Sequence, residues 1–299
     1  MYPLYGSVGR NASALLVLAA GLLAVRPAEA QVDLAGTWAS RQIEDAYYRG
    51  QPGPRLGEAV GLPLNEAGTW RAYSFDQSSH DGAPERMCYL YGPDLIFSRP
   101  GEQAQFVKQD DPVSGEIIAW HKRHTLQSTE HTDWMDGRPH PDEHAPHTFQ
   151  GFSTAEWQGN ALRVTTTHLK EAQLIRSGSI RSDKATVVEY WIRHGDYLVD
   201  MIITYDPIYL TAPYVKSWTF VRNNEPDMHG YICRPTEVVA DWVPGTVGHY
   251  LPGQNPFLAD TAAKTLVPVE ALGGGTEQMY PEYMLKLKTM SRPTPRSAR

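Results

Sequence analysis

The amino-acid sequence predicts an all-β fold, mainly antiparallel, with a few short helices and a C-terminal extension. Short segments in which apolar and polar side chains alternate follow one another through the middle of the chain, as expected for strands with one buried face. Turn sequences such as Gly159-Asn160 and Gly195-Asp196 separate several of them. Closing such a sheet removes its exposed edges, so we expect an up-and-down β-barrel, with a β-sandwich as the alternative.

The predicted strands begin with residues 36–40. The other strand candidates are 94–98, 103–109, 116–126, 129–135, 152–157, 161–169, 185–193, 197–205, 214–222 and 229–233. Ser114-Gly115 and Asp136-Gly137 add further turn signals. We therefore expect most strands to pair with their neighbours in the sequence.

Helices are predicted at three places outside the strand series. Residues 65–73 have Asn65 as a candidate N-cap, and residues 257–264 and 277–288 follow the strands. These patterns divide the chain into a barrel domain over 31–242, a C-terminal strap with helices over 243–290 and a disordered tail over 291–299.

The first thirty residues are typical of a signal peptide. An apolar run over 12–25 follows Arg10, and Ala28-Glu-Ala30 supplies small residues for cleavage before Gln31. The run is shorter than the ~20 residues that span a bilayer. We therefore expect an exported protein without a membrane span, located in the periplasm or secreted.

The composition is acidic, with 27 Lys and Arg residues against 34 Asp and Glu residues. A net charge of −7 argues against nucleic acid as a partner, because nucleic acid needs a basic surface. Sixteen tyrosines and eight tryptophans instead suit an interior that binds a small hydrophobic or aromatic ligand. The sequence does not indicate an oligomeric state.

Cys88 and Cys233 are the two cysteines of the chain. An even pair in an exported protein usually forms a disulfide, and these two flank the main strand series. A Cys88–Cys233 bond is therefore predicted, and neither cysteine has the local setting of a catalytic thiol.

Strand alternation places one histidine on an apolar face. In the segment 162–168, His168 shares a face with Leu162, Val164 and Thr166. We expect this face to point inward and to carry His168 to the rim of the interior.

Two further strands carry charged residues among aromatic ones. Glu189 alternates with Trp191, although alternation alone leaves open which face of that strand is inside. Lys216 shares a face with Tyr214 and Trp218, which suggests either a snorkelling lysine or a ligand contact.

A polar loop between two strands concentrates chemistry-bearing side chains. Residues 136–147 contain three imidazoles (His140, His144 and His147), three carboxylates and the guanidinium of Arg138. Loops held on a rigid scaffold often carry binding or catalytic groups, although such a dense cluster can also be simply solvated.

Four motifs resemble a largely uncharacterised bacterial family of exported proteins. They are Asp33-Leu-Ala-Gly-Thr-Trp38, Trp134-Met-Asp-Gly-Arg-Pro-His-Pro141, Trp157-Gln-Gly-Asn-Ala-Leu162 and Tyr205-Asp-Pro207. The resemblance covers most of residues 32–235 and implies a lipocalin-like β-barrel. Glu189, Cys88 and Cys233 also fall where that family has an acid and two cysteines.

The chain departs from that family at two points. Phe152 stands where many members have a histidine, and Thr165 stands where they have an aspartate. His168, at the end of the same strand candidate as Thr165, could restore an imidazole. If members of that family are enzymes that use this histidine and this aspartate, then this chain has either moved its active site or changed its chemistry.

The first functional hypothesis is cofactor-independent acid–base catalysis of lyase, isomerase or hydrolase type on an apolar or aromatic molecule. His168, His140 and Glu189 are the candidate proton-transfer residues. The candidate substrate-binding residues are Arg138, Lys216, Trp191, Trp218 and Tyr214. A purely structural role is the alternative for two of these residues: His140 would lie in a turn between two prolines, and Glu189 would form an ion pair within the barrel.

Two other hypotheses stay open. A non-catalytic carrier of a hydrophobic or aromatic ligand needs the same aromatic interior but no paired acid and base. A metal site could use His140, His144 and His147, yet the spacing is a loose motif and no metal is assigned. No Gly-x-Ser-x-Gly motif supports serine-triad chemistry.

Overall fold

The computed structural model describes residues 32–41, 59, 61–74, 88, 90–95, 102–125, 129–175, 178–224, 251, 256–273 and 275–293. The predicted signal peptide, Cys233, the strand candidate 229–233, most of the strap 243–256 and residues 294–299 lie outside the described residues.

The described residues form eleven strands. They are β1 (Gly36–Arg41), β2 (Gln103–Asp110), β3 (Ile117–His124), β4 (Glu130–Trp134), β5 (Phe152–Gln158), β6 (Ala161–Thr167), β7 (Ala172–Gln173), β8 (Ile180–Arg181), β9 (Thr186–His194), β10 (Tyr197–Tyr205) and β11 (Tyr214–Asn223). Strands β7 and β8 form a small hairpin of their own, and the other nine close into a barrel in the order β1-β11-β10-β9-β6-β5-β4-β3-β2. The predicted all-β barrel is confirmed.

One pair of barrel strands departs from simple up-and-down topology. Strands β4 and β5 run parallel and pair only at Asp133 with Ser153 and at Trp134 with Thr154. A parallel pair needs a connection that returns the chain to its starting end, and the polar loop 135–151 supplies it. Gly151 closes this loop at φ +70°, where an added Cβ would lie 2.4 Å from the Thr167 carbonyl oxygen.

The strand candidate 94–98 is wrong in its described part. Asp94 and Leu95 lie in a turn, in which the Leu95 N–H donates to the Gly92 carbonyl oxygen at 3.1 Å. The Asp94 carboxylate accepts a hydrogen bond from Arg181 Nε at 2.9 Å, and both side chains are fully buried. This buried ion pair holds the segment as a turn.

Aromatic side chains from both adjacent and non-adjacent strands pack together in the barrel interior. Phe106 on β2 lies 4.9 Å from Trp191 on β9 and 6.4 Å from Trp120 on β3, measured between ring centroids. Phe220 on β11 lies 5.6 Å from Trp191. The two Phe106 contacts are edge-to-face, and such packing adds about 0.5–1.5 kcal/mol per pair to the burial of the rings.

One described helix lies between β1 and β2 along the chain, and the others follow β11. They are α1 (Glu66–Tyr73), α2 (Phe257–Thr265), α3 (Val269–Leu272) and α4 (Tyr283–Thr289), with a 3-10 turn at Thr276–Met279. Asn65 caps α1 as predicted, accepting a hydrogen bond from Gly68 N at 2.9 Å. None of the described helices is both long enough and apolar enough to cross a membrane.

The predicted helix 277–288 is instead split in two. Its first part is the 3-10 turn, and α4 begins two residues after Pro281. Proline lacks a backbone N–H and disfavours helical geometry in the residue before it, here Tyr280. Tyr280 accordingly adopts an extended conformation, at φ −108° and ψ 141°.

Candidate functional site

Five ionisable side chains lie inside the barrel. Lys122, Asp133, Glu189, Asp200 and Lys216 come from β3, β4, β9, β10 and β11, and each residue is at most 1% exposed. Burying charges costs free energy unless they are paired. A group of five among aromatic rings is therefore the first candidate for a functional site.

Lys122 is at the centre of this group. Its Nζ lies 3.1 Å from Asp133 Oδ2 and donates to both Glu189 oxygens, at 3.2 and 3.3 Å. Because β3 and β9 are not neighbours, the contact with Glu189 spans the interior. Burial alone would lower the pKa of Lys122, but the surrounding carboxylates outweigh it and raise that pKa above the usual lysine value.

Asp133 joins Lys122 to a histidine and two hydroxyl groups. His131 Nε2 lies 3.0 Å from Asp133 Oδ1 and 2.7 Å from Ser153 Oγ, which in turn lies 2.6 Å from Thr166 Oγ1. Serine and aspartate thus contact the same ring nitrogen, whereas a catalytic triad uses opposite nitrogens. The arrangement is a buried polar chain, and its geometry does not support a nucleophilic serine.

Asp133 remains ionised in this setting. Burial raises the pKa of its carboxyl group, but the electrostatic interaction with Lys122 and, to a lesser degree, the contact with His131 outweigh burial, so the net pKa of Asp133 lies below the ordinary value. The oxygens of Asp133 are at ion-pair distance from both partners without hydrogen-bond alignment. The interaction is therefore mainly electrostatic.

Asp200 has the opposite character. Neither of its carboxyl oxygens has a hydrogen-bond partner among the described residues, and the residue is fully buried. It pairs across the sheet with Trp191 on one side and Trp218 on the other. Burial, together with the negative charge of Glu189, raises the pKa of Asp200 well above its ordinary value. Burial therefore favours the protonated form of this carboxyl group, which faces the interior.

Glu189 lies between these two extremes. Burial raises its pKa, Lys122 partly opposes the rise, and the net pKa is above the ordinary value of a glutamate. Neighbouring carboxyl groups whose environments separate their pKa values are the usual source of an acid and a base in one site. Glu189 and Asp200 form such a pair.

Lys216 completes the charged group. Its ammonium lies 5.6 Å from the Trp218 ring and 5.7 Å from the Tyr214 ring, and it donates to the Leu174 carbonyl oxygen at 3.4 Å. The shared face inferred for these three residues is the interior face, since all are buried. The open question about Glu189 and Trp191 is resolved in the same way, because both point inward.

Other polar atoms of the interior also have no partner among the described residues. They are Thr204 Oγ1, Trp120 Nε1 and Trp218 Nε1, each on a buried residue. Buried polar groups in proteins are almost always hydrogen-bonded to protein, water or a ligand. The barrel interior therefore presents both donors and acceptors that a small polar group could satisfy.

The expected inward orientation of His168 is wrong. Strand β6 ends at Thr167, and His168 takes a left-handed conformation with φ 55°, which interrupts the alternation. Its Nδ1 lies 2.8 Å from Thr167 Oγ1, and its Nε2 bonds the Asp142 carbonyl oxygen at 2.7 Å. His168 therefore holds the polar loop and does not reach the interior group.

His140 occupies the same exterior network. Its Nδ1 lies 2.7 Å from Thr167 Oγ1 and its Nε2 lies 2.8 Å from Thr154 Oγ1. Partial burial and, secondarily, His168 lower the pKa of His140 below its ordinary value. The wall made by β5 and β6 separates His140 and His168 from Glu189, so the three predicted proton-transfer residues do not meet.

The remaining loop residues are also outside the barrel. The Arg138 guanidinium lies 3.6 Å from the Trp134 ring centroid and donates through Nε and Nη2 to Asp136. His147 contacts the Leu169 carbonyl oxygen, and His144 is exposed. Among the described residues, no group of three or more His, Cys, Asp or Glu residues is arranged to hold a metal ion.

Several interior residues were not found from the sequence, namely Lys122, His131, Asp133, Ser153 and Asp200. The signal that could have found them is a charged residue alternating with apolar ones, as Asp200 does between Leu198 and Ile202. Searches against protein-family models, curated proteins and solved structures gave no match. The resemblance stated above therefore rests on its motifs.

Proposed function

We propose that this protein is an exported enzyme that binds an apolar or aromatic small molecule inside its β-barrel and catalyses proton transfer of lyase or isomerase type. One observation carries the proposal, namely the buried carboxyl pair of Glu189 and Asp200 beside Lys122 in an aromatic interior. Acid–base catalysis needs groups whose pKa values are moved toward the working pH, and burial does this here.

Each interior group has a role in this proposal. Glu189 takes a proton from the substrate, and the protonated Asp200 donates one to it. Lys122 keeps Glu189 oriented, while Lys216 binds an oxygen that gains negative charge. Trp191, Trp218 and Tyr214 supply aromatic contacts. His168, His140 and Arg138, predicted from the sequence, take no part in this step because they lie outside the barrel.

The second candidate is a carrier that encloses the same kind of ligand without changing it. It is favoured by the near-complete burial of all five ionisable interior side chains, since a carrier needs enclosure more than rapid exchange. Location in the periplasm or outside the cell suits either function.

The test is to extract and identify what co-purifies with the protein, and to follow conversion of that compound. Asp200→Asn keeps the shape of the side chain but cannot give up a carboxyl proton. We expect it to lower turnover about 10²–10⁴-fold with binding retained. Binding without turnover by the wild-type protein would favour the carrier.

A further inference from the structure

A cleft lies on the outside of the barrel, between the end of β4 and the exposed side of β5. It has a volume of about 470 Å³, and its lining includes Trp134, Arg138, Glu156, Trp157, Arg163 and Thr165. None of these residues belongs to the charged interior group.

The cleft follows from the short parallel pairing of β4 and β5. That pairing ends at Trp134 and Thr154, after two residue pairs, while β5 continues to Gln158. Beyond Thr154, the described strand pairs give β5 only β6 as a neighbour. The polar loop leaves the sheet at this point, so the wall opens.

Two guanidinium groups border the cleft with unused donors. Arg163 uses Nη1 on Glu156 Oε1 at 3.0 Å, and its Nε and Nη2 have no partner among the described residues. Arg138 uses Nε and Nη2 on Asp136, which leaves its Nη1 without one in the same part of the chain. Each arginine is already neutralised by one carboxylate, so the cleft is rich in N–H donors without a large positive charge.

Hydrogen-bond acceptors are fewer. Glu156 Oε1 is occupied by Arg163 and by Gln158 Nε2 at 3.1 Å. Glu156 Oε2 and the Thr165 hydroxyl are the acceptors of the lining side chains that have no partner among the described residues. A matching ligand therefore brings acceptor oxygens to the two guanidinium forks, as a carboxylate does.

The walls of the cleft are flat and aromatic. The Arg138 guanidinium stacks on the Trp134 indole, with 3.6 Å between its central carbon and the ring centroid, and the Trp157 indole lies in the same lining. Stacked guanidinium and indole surfaces favour a planar ring. A dianion such as phosphate suits the cleft less, because Asp136 and Glu156 repel it.

We propose that this cleft binds a small aromatic carboxylate, whose carboxylate group is held by Arg163 and Arg138 and whose ring lies against the indoles. The site is independent of the acid–base function proposed for the interior, since the two share no residue.

The experiment is calorimetric titration of the purified full chain with 1-naphthoate, and with uncharged 1-naphthylmethanol as the matched ligand. We expect saturable binding of naphthoate and binding of the alcohol at least about tenfold weaker, because loss of charge-assisted hydrogen bonds costs 1.4 kcal/mol or more. Arg163→Gln should weaken naphthoate binding, while Glu156→Gln, which removes a negative charge and frees Arg163, should strengthen it.

Arg123→Gln provides the matched control, because Arg123 forms a similar exposed ion pair, with Glu130 at 3.1 Å, elsewhere on the barrel. It should leave the Kd unchanged. The proposal is overturned if naphthoate does not bind, if the alcohol binds equally well, or if Arg163→Gln leaves the Kd unchanged, as it would for a ligand inside the barrel.

Discussion

At the scale of single residues, burial and ion pairing have opposite effects on the ionisation of the side chains in the barrel interior. Burial disfavours every ionised group there, yet Lys122 and Asp133 stay charged because they lie 3.1 Å apart. Asp200 has no such partner among the described residues, and burial raises its pKa, which favours the protonated form. When one of the three carboxyl groups is protonated, the two remaining carboxylates balance the charge of the two ammonium groups.

Lys122→Met should be strongly destabilising. It leaves Asp133 and Glu189 buried without their common cation, which costs roughly 3–5 kcal/mol of the free energy of unfolding. Urea unfolding measures this, with Lys108→Met as the control, since exposed Lys108 should change stability by less than about 0.5 kcal/mol. Equal effects in the two variants would show that the interior group is not a stabilising ion pair.

Asp200→Asn should stabilise the protein increasingly as the pH rises. The folded-state pKa of Asp200 is raised, so its contribution to stability is complete below the unfolded pKa, ~3.9, and is lost as the pH rises through the folded pKa. Asparagine does not ionise and avoids that loss. The difference in free energy of unfolding between variant and wild type, measured by urea titration from about pH 4 to about pH 8, should therefore increase.

This outcome also bears on function. A residue whose replacement raises stability and lowers turnover is kept for activity, as expected at strained catalytic sites. If Asp200→Asn instead lowers stability equally at every pH, the carboxyl group has a structural role and the proposed proton donor is wrong.

At the scale of elements, the polar loop 135–151 makes the parallel pairing of β4 and β5 possible. The His140 imidazole of the loop contacts Thr154 and Thr167 on the outer face of β5 and β6, and His168, directly after β6, bonds the Asp142 carbonyl oxygen of the loop. Histidines of this loop, whose clustering suggested catalysis from the sequence, thus have a structural role. The short pairing of β4 with β5 also opens the exterior cleft.

His140→Ala should loosen this loop. It removes both hydrogen bonds of the imidazole, which costs about 1–3 kcal/mol, and hydrogen exchange over 135–151 should accelerate. Because burial lowers the pKa of His140, its contribution is present above ~6.5 and is lost as the pH falls through the folded pKa. His144→Ala, at an exposed position, is the control, and an equal effect there would contradict the assignment.

At the scale of the whole molecule, the barrel is closed by the pairing of β1 with both β2 and β11. Long-range strand pairing of this kind brings the ends of the barrel chain together. The predicted Cys88–Cys233 bond would reinforce that closure, and it stays a prediction because Cys233 lies outside the described residues.

Free-thiol titration of the unfolded, unreduced protein should detect essentially no thiol. The bond closes a loop of about 145 residues, and its reduction should lower the free energy of unfolding by up to about 5 kcal/mol. Mass spectrometry of the exported protein should also show Gln31 as its first residue. Two free thiols, or an intact N-terminus, would contradict these expectations.

The sequence by itself determined the all-β class, most strand positions, the Asn65 cap and the shared face of Tyr214, Lys216 and Trp218. These features depend on local patterns, because strand alternation and caps are set by residues close in the chain. Contacts between distant strands were decided only by the tertiary structure. Lys122 meets Glu189 across 67 positions, and one left-handed residue, His168, turns away from the face that alternation assigned to it. The buried interior group forms because closure brings such distant residues together, and alternation within one strand carries no information about what lies opposite.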